Sequence, residues 1–486
     1  MYCKITPWHC DPRTIWLACV ALYLVFGPTQ APFYTPSYYD NSRLLQLLSL
    51  AALSLLALVI PTLRREVEVI VLNGRGWVQR GLLLLALLGF ASGLQAALPG
   101  MALQELALWM LLGVFTLTSI SVTAANRTLV DRLLLIAFQG SALVFIVVFW
   151  MGQLAARETE QPFEWLHPFV TFANVRHFSQ FQAYTLPVLT VSVALAGISR
   201  YRRSGAFLLA AHWWALQFAV GTRAVWFAGA CTVALLPLLL KRDAFPFLKC
   251  FGLAVLGGGI LYLALDTFLL VDAPGLADAA HRGFDTSNRQ ELWRSALAMV
   301  RNDPFLGVGP MHFSFTNFAW AAHPHNSMLQ FAAEYGLPAA TIVVALATWL
   351  LWSSIRWTRS ASQPEDQLIN GGLLAALLMG LLDSLLSGNT LMPVAQMTLC
   401  ILIGWVIGRN RCVPSNPPPS PTAITTFALS TIVVGSVITV GLGAHTYYQY
   451  WDARQFLVPA GASHPRYWEE GHWPRSDPVR SVQQAK

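Results

Sequence analysis

The chain has 486 residues, of which 55% are hydrophobic and 11% are charged, and its mean hydropathy is +0.51. Soluble domains carry about 25% charged residues, so this composition excludes an ordinary soluble protein and indicates a protein embedded in a membrane. The formal net charge of +7 does not indicate nucleic acid as a partner, because the basic residues are distributed as membrane topology requires.

Apolar runs of roughly 20 residues are long enough to cross a bilayer core of about 30 Å. The sequence contains about thirteen such runs. They occupy residues 14–27, 44–63, 81–98, 101–124, 133–152, 181–198, 206–220, 224–240, 250–271, 337–355, 371–388, 392–408 and 423–444. Lys and Arg collect in the short loops of one side, which places the N-terminus inside and the C-terminus outside. The pattern predicts an all-α polytopic membrane protein.

These runs divide the chain into four regions. Residues 1–271 hold the first nine predicted spans, and residues 337–444 hold the remaining spans with a Pro-rich cytoplasmic linker at 413–422. Residues 272–336 form a long polar loop, predicted to lie on the outer, periplasmic face, and residues 445–486 form a polar tail on the same face. The chemistry of the outer face is expected in the long loop.

Two helices are predicted within this loop. "SNRQ" (287–290) has a capping-box pattern, and the apolar residues that follow at helical spacing predict an amphipathic helix over 288–302. "GVGP" (307–310) is a tight turn rather than a phosphate loop, because it lacks the longer glycine pattern. A residue before proline avoids the helical region, so "HPH" (323–325) is extended and the second helix starts near Asn326.

A cluster of polar side chains marks the start of the second helix. His325 is a candidate general base, because an imidazole can accept a proton near neutral pH. Asn326, Gln330 and Glu334 follow at intervals of four residues on one face. With His323, they can contact the acceptor or orient the base, and both histidines are expected to face outward. A purely structural role, tying the loop to the helix, is the alternative.

Arginines form the second set of candidates, because the planar guanidinium donates several hydrogen bonds to phosphate oxygens. Arg223 is predicted at the outer membrane edge, where an arginine is costly unless it is paired or lines a wet cavity. Arg289 and Arg294 lie in the first turns of the loop helix. All three are candidate ligands of a pyrophosphate.

Three acids, Glu105, Asp266 and Asp383, lie near predicted outer ends of spans. They are either functional or structural counter-ions for the arginines. The outer segments contain no dense carboxylate cluster, so neither a metal nor a cofactor is expected.

A base beside arginines suits attack by a hydroxyl on a carbon that bears a pyrophosphate leaving group. A polyprenyl pyrophosphate fits this chemistry, because its tail stays in lipid while its head reaches the surface.

One segment of the loop resembles a known family. "HNSMLQFAAEYGLPA" (325–339) resembles the H-[NSQ]-x9-G-x-x-[GTY] motif of the O-antigen ligase and polymerase superfamily. This superfamily includes the bacterial O-oligosaccharyltransferases that glycosylate pilins. His325, Asn326 and Gly336 match the motif, and Ala339 departs from its last position.

Further segments are similar to the same superfamily. Residues 288–313 look like the segment that precedes the motif, and Arg223 resembles its R-x3-L motif, with phenylalanine in place of the leucine. "FANVRHFSQFQ" (172–182) resembles a stretch of the protein-glycosylating branch. There, His177 and Gln180 can line a donor or acceptor groove, or belong to an interfacial loop.

The resemblance implies a GT-C-like helical fold and metal-independent transfer from an undecaprenyl-pyrophosphate-linked glycan at the periplasmic face of the bacterial inner membrane. It implies His325 as the base and Arg223 and Arg289 as pyrophosphate ligands. The acceptor stays open between lipid A–core, a hydroxyl of a pilin-like protein and the end of a growing polysaccharide. A polymerase of the same superfamily is the close alternative. A lipid or polysaccharide transporter fits less well, because it would place polar residues of repeated units near the bilayer midplane.

Overall fold

The computed structural model describes residues 11–30, 32–33, 35, 38–74, 76–159, 172, 174–195, 199–268, 289–315, 321–411, 422–453 and 468. All regular elements in this part of the chain are helices, which confirms the predicted all-α class. The α-helices are α1 (Pro12–Phe26), α2 (Tyr38–Val59), α3 (Pro61–Leu72), α4 (Gly76–Gln95), α5 (Pro99–Ala125), α6 (Arg127–Thr159), α7 (Val175–Ala194), α8 (Arg200–Val220), α9 (Arg223–Leu240), α10 (Phe245–Phe268), α11 (Arg289–Asn302), α12 (Ser327–Ser360), α13 (Pro364–Ser384), α14 (Pro393–Arg409) and α15 (Ala423–Ala453). Short 3₁₀ turns occupy Gly27–Thr29, Lys241–Ala244 and His312–Phe315.

The helices are those of a polytopic membrane protein. Among the described residues, 8 stretches are long and apolar enough to cross a membrane. One of them, Arg223–Leu265, contains both α9 and most of α10, and Pro393–Arg409 is a shorter apolar helix. Every predicted apolar run overlaps a helix of the structure. The exact number of spans and the N-inside orientation stay predictions.

Helix α3 is amphipathic, and the search for apolar runs does not predict it. Leu63, Val67 and Ile70 recur at helical spacing and are buried, whereas Arg65 is exposed. Pro61 occupies the first turn, where its missing N–H costs nothing. Charged residues inside such a short helix lower its hydropathy, so only its periodicity indicates it.

Helix α7 lies in the centre of the bundle and packs against α6, α8, α10, α13 and α14. Every residue from His177 to Val193 is buried, including the polar side chains of Gln182 and Thr190. A helix enclosed by protein can carry polar groups that would be costly against lipid. These groups explain why α7 is not among the 8 apolar stretches of the described chain.

Helix α12 contains a kink that fastens the loop to the bundle. Gly336 has a left-handed backbone with φ 83°, and a Cβ atom there would lie 2.2 Å from the carbonyl oxygen of Phe305. Only glycine fits both conditions. The turn at 307–310 docks into the kink, where the backbone N–H of Val308 donates to the carbonyl of Ala333 at 2.9 Å. The close packing of the loop against the kink of α12 therefore explains the glycine of the 325–339 motif.

Helix α11 packs against the first part of α12, as a helix of the predicted loop should. Leu292, Ala296 and Met299 are buried in a small core that also contains Phe313 and Ala333. This core is separate from the main core of the bundle. The loop helix therefore has its own apolar support at the point where the candidate residues meet.

Candidate active site

The polar stripe at the start of α12 joins the helix to the preceding loop. Asn326 caps the helix, since its Oδ1 accepts from the backbone N–H of Leu329 at 3.0 Å. This confirms the predicted helix start. Gln330 Nε2 donates to Glu334 Oε2 at 3.2 Å, and Glu334 Oε1 accepts from the backbone N–H of Phe313 at 3.0 Å. The fully buried Glu334 thus ties the 3₁₀ turn to α12.

His325 has an uncommon backbone conformation, with φ 51°. Residues with a Cβ atom rarely adopt positive φ, and such strain persists only when the surroundings enforce it. The backbone N–H of His325 donates to Nδ1 of His323 at 3.2 Å, and the two ring centroids are 4.2 Å apart. Trp293 Nε1 of α11 donates to the carbonyl of Pro324 at 3.0 Å. These contacts fix the turn that presents the imidazole.

The structure corrects one expectation about the histidines. His323 does not face outward: it is only 4% exposed. The backbone at Gly388, between α13 and α14, covers its ring, and a Cβ atom there would lie 2.3 Å from His323 Cε1. His325 is partly buried. Packing against a turn about 60 residues later in the chain gives no local signal that hydropathy or periodicity could reveal.

Arginines at the starts of three helices belong to the candidate site. Arg176 lies in the first turn of α7, and Arg223 and Arg289 are the first residues of α9 and α11. Burial lowers the pKa of Arg289, and the positive charges of Arg176 and Arg223 lower it further, while the negative charge of Asp383 raises it. The site therefore concentrates positive charge in a partly desolvated place.

Two of these arginines, Arg289 and Arg176, also affect the pKa of His325. Burial lowers the pKa of His325 to about 3, and the nearby charges of Arg289, His177 and Arg176 act in the same direction. The imidazole is therefore neutral at neutral pH and has a lone pair available for a proton. An anion bound among the arginines reverses the electrostatic part of this shift.

Asp383 is the acid that the structure brings to the site. It is fully buried at the end of α13, where its Oδ2 accepts from Ser387 Oγ at 2.6 Å and from Asn389 Nδ2 at 3.0 Å. Its charge acts on Arg289. This electrostatic effect is consistent with the counter-ion interpretation of this acid.

The remaining candidates lie elsewhere. Arg294 is exposed on α11, five residues beyond Arg289 and on a different face. Gln180 is buried on α7, one turn after His177. Glu105 accepts from Trp109 Nε1 at 3.3 Å in α5. The side chains of Asp266 and Ser287, the linker from 413 to 421 and most of the tail 445–486 lie outside the described residues.

Arg176 is the site residue that sequence reasoning missed. It stands beside His177 in the segment 172–182, which was selected for its histidine and glutamine. Asn174 accepts from the backbone N–H of Arg176 at 2.9 Å as the cap of α7. An arginine directly after a helix cap, at the outer end of a buried helix, is the signal that could have indicated it.

Comparison with known proteins supports the resemblance seen in the loop. Residues 188–344 match the family model described as O-antigen ligase. The matched segment runs from the second half of α7 to the middle of α12 and includes Arg223, Arg289 and His325. Arg176 and Asp383 lie outside it and reach the site by packing. No curated protein matches the chain.

Proposed function

We propose that this chain, which carries an O-antigen ligase domain, moves a glycan from an undecaprenyl-pyrophosphate carrier to an acceptor hydroxyl. The domain supports membership of the membrane enzymes of the O-antigen ligase and polymerase superfamily. The periplasmic face of the inner membrane is the proposed place of reaction. The proposed acceptor is lipid A–core or a serine or threonine of a pilin-like protein. The arrangement that supports transfer most is the imidazole of His325 close to Arg289 and Arg176, with Arg223 acting on Arg289.

In this proposal His325 is the general base. Its neutral form accepts the proton of the acceptor hydroxyl while the hydroxyl oxygen attacks the anomeric carbon of the donor sugar. The bond between that carbon and the pyrophosphate oxygen breaks, and its electron pair leaves with the pyrophosphate. Bound pyrophosphate, being anionic, also raises the pKa of the imidazole and so makes it a stronger base.

The arginines are the proposed ligands of the leaving group. Arg223 and Arg289, joined by Arg176, can donate charge-assisted hydrogen bonds to oxygens whose negative charge grows in the transition state. Arg294, exposed on α11, is at most a peripheral contact of the donor. The transfer is proposed to need no metal, because guanidinium groups supply the positive charge that a divalent cation would otherwise provide.

The other polar residues have supporting roles in this proposal. Asn326, Gln330 and Glu334 hold the start of α12 against the loop, as their hydrogen bonds indicate. His323 orients the base through its contact with the backbone of His325. Membrane lipids surround the bundle and allow the lipid-linked donor to approach laterally.

The test is a deletion strain that is complemented with the wild-type chain or with His325→Ala. Lipopolysaccharide banding and the mass of pilin subunits are measured in the same cells. Loss of glycan from one of the two products in the deletion and in His325→Ala strains supports ligation and identifies the acceptor. Unchanged lipopolysaccharide and unchanged pilin in the deletion strain would overturn the proposal.

The same strains distinguish a ligase from a polymerase. A polymerase lengthens the glycan on its carrier, so its deletion leaves single repeat units attached to the acceptor. A ligase deletion instead leaves full-length glycan on the carrier lipid. Extraction of carrier-linked glycans and measurement of their chain length separates the two results.

A further inference from the structure

The turn between α13 and α14, residues 385–392, lies directly behind the two histidines. A Cβ atom at Gly388 would lie 2.3 Å from Cε1, 2.7 Å from Nε2 and 2.8 Å from Nδ1 of His323. Such distances are far shorter than van der Waals contact, so no side chain fits at 388 unless the ring moves. The backbone of this turn therefore forms one wall of the place that holds His323.

The His323 ring also contacts His325. Its Nδ1 accepts the backbone N–H of His325 at 3.2 Å, and His325 has φ 51°. A strained backbone returns to a more common conformation when its enforcing contact is lost. A shift of the His323 ring therefore moves the backbone that carries the His325 imidazole.

The turn is itself held firmly from α12 and α13. The hydroxyl groups of Thr390 and Ser327 are 2.6 Å apart, which joins the turn to the first residue of α12. Asn389 Nδ2 donates to the carbonyl of Gly380 at 2.7 Å and to Oδ2 of Asp383 at 3.0 Å. These residues are buried, so their hydrogen bonds are costly to break.

A distant helix holds the end of the same turn. Arg43 of α2 is buried, and its guanidinium donates to the carbonyl of Leu391 at 2.8 Å and to Oε1 of Gln396 at 2.8 Å. The backbone N–H of Leu391 in turn donates to the carbonyl of Gly388 at 2.9 Å. The position of Gly388 is therefore set by α2, α13 and α14 together.

We propose that the turn 385–392 is a positioning element for His325, that Gly388 is its contact residue, and that it acts through the ring of His323. This inference rests on the proposed function, in which His325 is the base. Neither Gly388 nor Arg43 touches the reacting groups in this scheme. Their effect is geometric, and a misplacement of about 1 Å can cost on the order of 10²-fold in rate.

The first test compares Gly388→Ala with Gly113→Ala. Each variant adds one methyl group, but a Cβ atom at Gly113 of α5 meets nothing within 4 Å. In membranes with equal amounts of protein, Gly388→Ala is expected to lower kcat on the order of 10²-fold. The KM for the donor should stay unchanged, because the arginines are not disturbed. Wild-type kcat in Gly388→Ala would overturn the proposal.

The second test asks whether the effect passes through His323. Replacement of His323 by Ala removes the ring that the new methyl group would strike, so Gly388→Ala should have little further effect on kcat in a His323→Ala background. Coupling of this kind is what a double-mutant cycle measures. An equal fold-loss from Gly388→Ala in both backgrounds would contradict a path through the ring.

The third test does not depend on transfer. Diethyl pyrocarbonate modifies neutral imidazoles, and mass spectrometry reports its rate at His325. Gly388→Ala should change this rate, whereas Gly113→Ala should not. If the wild type transfers no glycan but the rate still changes, the positioning proposal stands and the proposed function fails. If neither the rate nor the transfer changes, the positioning proposal fails.

Discussion

Helix α13 connects two groups of charged side chains, one at each of its ends. Near its first turn, Arg409 of α14 has a side chain only 1% exposed and pairs with Asp366 at 2.6 Å and with Asp131 of α6. Its Nε also donates to Asn370 Oδ1 at 3.1 Å, and Trp405 donates to Asp131 at 2.6 Å. Carboxylates on two helices thus satisfy one guanidinium.

The second group lies at the last turn of α13, about 25 Å away by helix rise. One buried carboxylate, Asp383, lies near a group that includes Arg289, Arg176 and Arg223. The positive charges lower the pKa of Arg289 and of His325. Like charges are held together here against their mutual repulsion.

The difference separates a structural charge network from a candidate binding site. Buried ions are tolerated when partners and hydrogen bonds compensate the lost water, and the Arg409 network meets this condition internally. Around Arg409, two carboxylates, Asp131 and Asp366, supply this compensation. The outer arginines are instead the proposed ligands of the donor pyrophosphate.

The largest expected effect comes from removal of the base. His325→Ala should lower transfer about 10²- to 10⁴-fold, because a general base typically contributes that much. The control is His445→Ala on the exposed part of α15, which should transfer as the wild type does. Transfer per inserted molecule is the measurement. Near wild-type transfer by His325→Ala beside an inactive His323→Ala would reverse the two roles.

Removal of Arg409 should act on stability rather than on donor use. Arg409→Ala leaves Asp131 and Asp366 without their shared cation, and loss of one partner from a buried pair costs up to about 3–5 kcal/mol. We expect a lower melting temperature in detergent and less protein in the membrane. The donor KM of the remaining molecules should be unchanged, and a raised donor KM would contradict the separation of the two clusters. Arg359→Ala, at an exposed arginine, is the control.

Loss of one outer arginine should weaken donor use. Hydrogen bonds to charged groups are worth about 1.5–3 kcal/mol, so Arg289→Ala or Arg176→Ala should lower kcat/KM for the donor roughly 10- to 100-fold. Arg289→Lys should rescue only partly, because an ammonium lacks the guanidinium fork. Arg301→Ala, on the exposed last turn of α11, should have no effect. If Arg289→Ala and Arg176→Ala both kept full activity, these arginines would not be ligands of the pyrophosphate.

The pH dependence of stability should show a smaller effect. In the donor-free protein, burial holds the pKa of His325 at about 3, below its ordinary value of 6.5. The unfolded chain therefore takes up a proton first as the pH falls, so His325 lowers stability progressively below pH 6.5 and not above it. His325→Gln should flatten the decline of melting temperature between pH 7.5 and 5. If the melting temperatures of the wild type and of His325→Gln declined in parallel with pH, the lowered pKa of His325 would be contradicted.

Chelation should have the smallest effect. EDTA added to the purified enzyme is expected to leave the transfer rate unchanged, because the proposed mechanism uses arginines rather than a metal. The rate is measured before and after dialysis against EDTA, with and without added magnesium or manganese. Loss of activity that either metal restores would overturn metal-independent transfer.

Local patterns predicted most of the helices and little of their packing. Apolar runs depend on neighbouring residues, so each predicted run overlaps a helix. The cap at Asn326 is also local, and it was found. Helix α3 was not predicted because its charges interrupt the apolar run, and the central position of α7 depends on contacts with helices far away in the sequence.

The candidate site was predictable to the extent that motifs mark it. Arg223, Arg289 and His325 lie in segments that resemble the superfamily, and the domain match includes all three. Arg176 and Asp383 both act on Arg289 from helices α7 and α13, which pack against each other, and their sequence separations exceed any local window. The burial of His323 under Gly388 has the same long-range origin.

The central position of α7 has a consequence for biogenesis. A translocon selects segments by hydrophobicity as they emerge, and α7 carries Gln180, Gln182 and Thr190 on surfaces that only other helices cover. Its partner α13 is synthesised about 170 residues later. Nascent chains that end before α13 should therefore leave α7 exposed to lipid and to membrane quality-control proteases. Chains that are truncated after α12 should be degraded, whereas chains that are truncated after α13 should be protease-resistant.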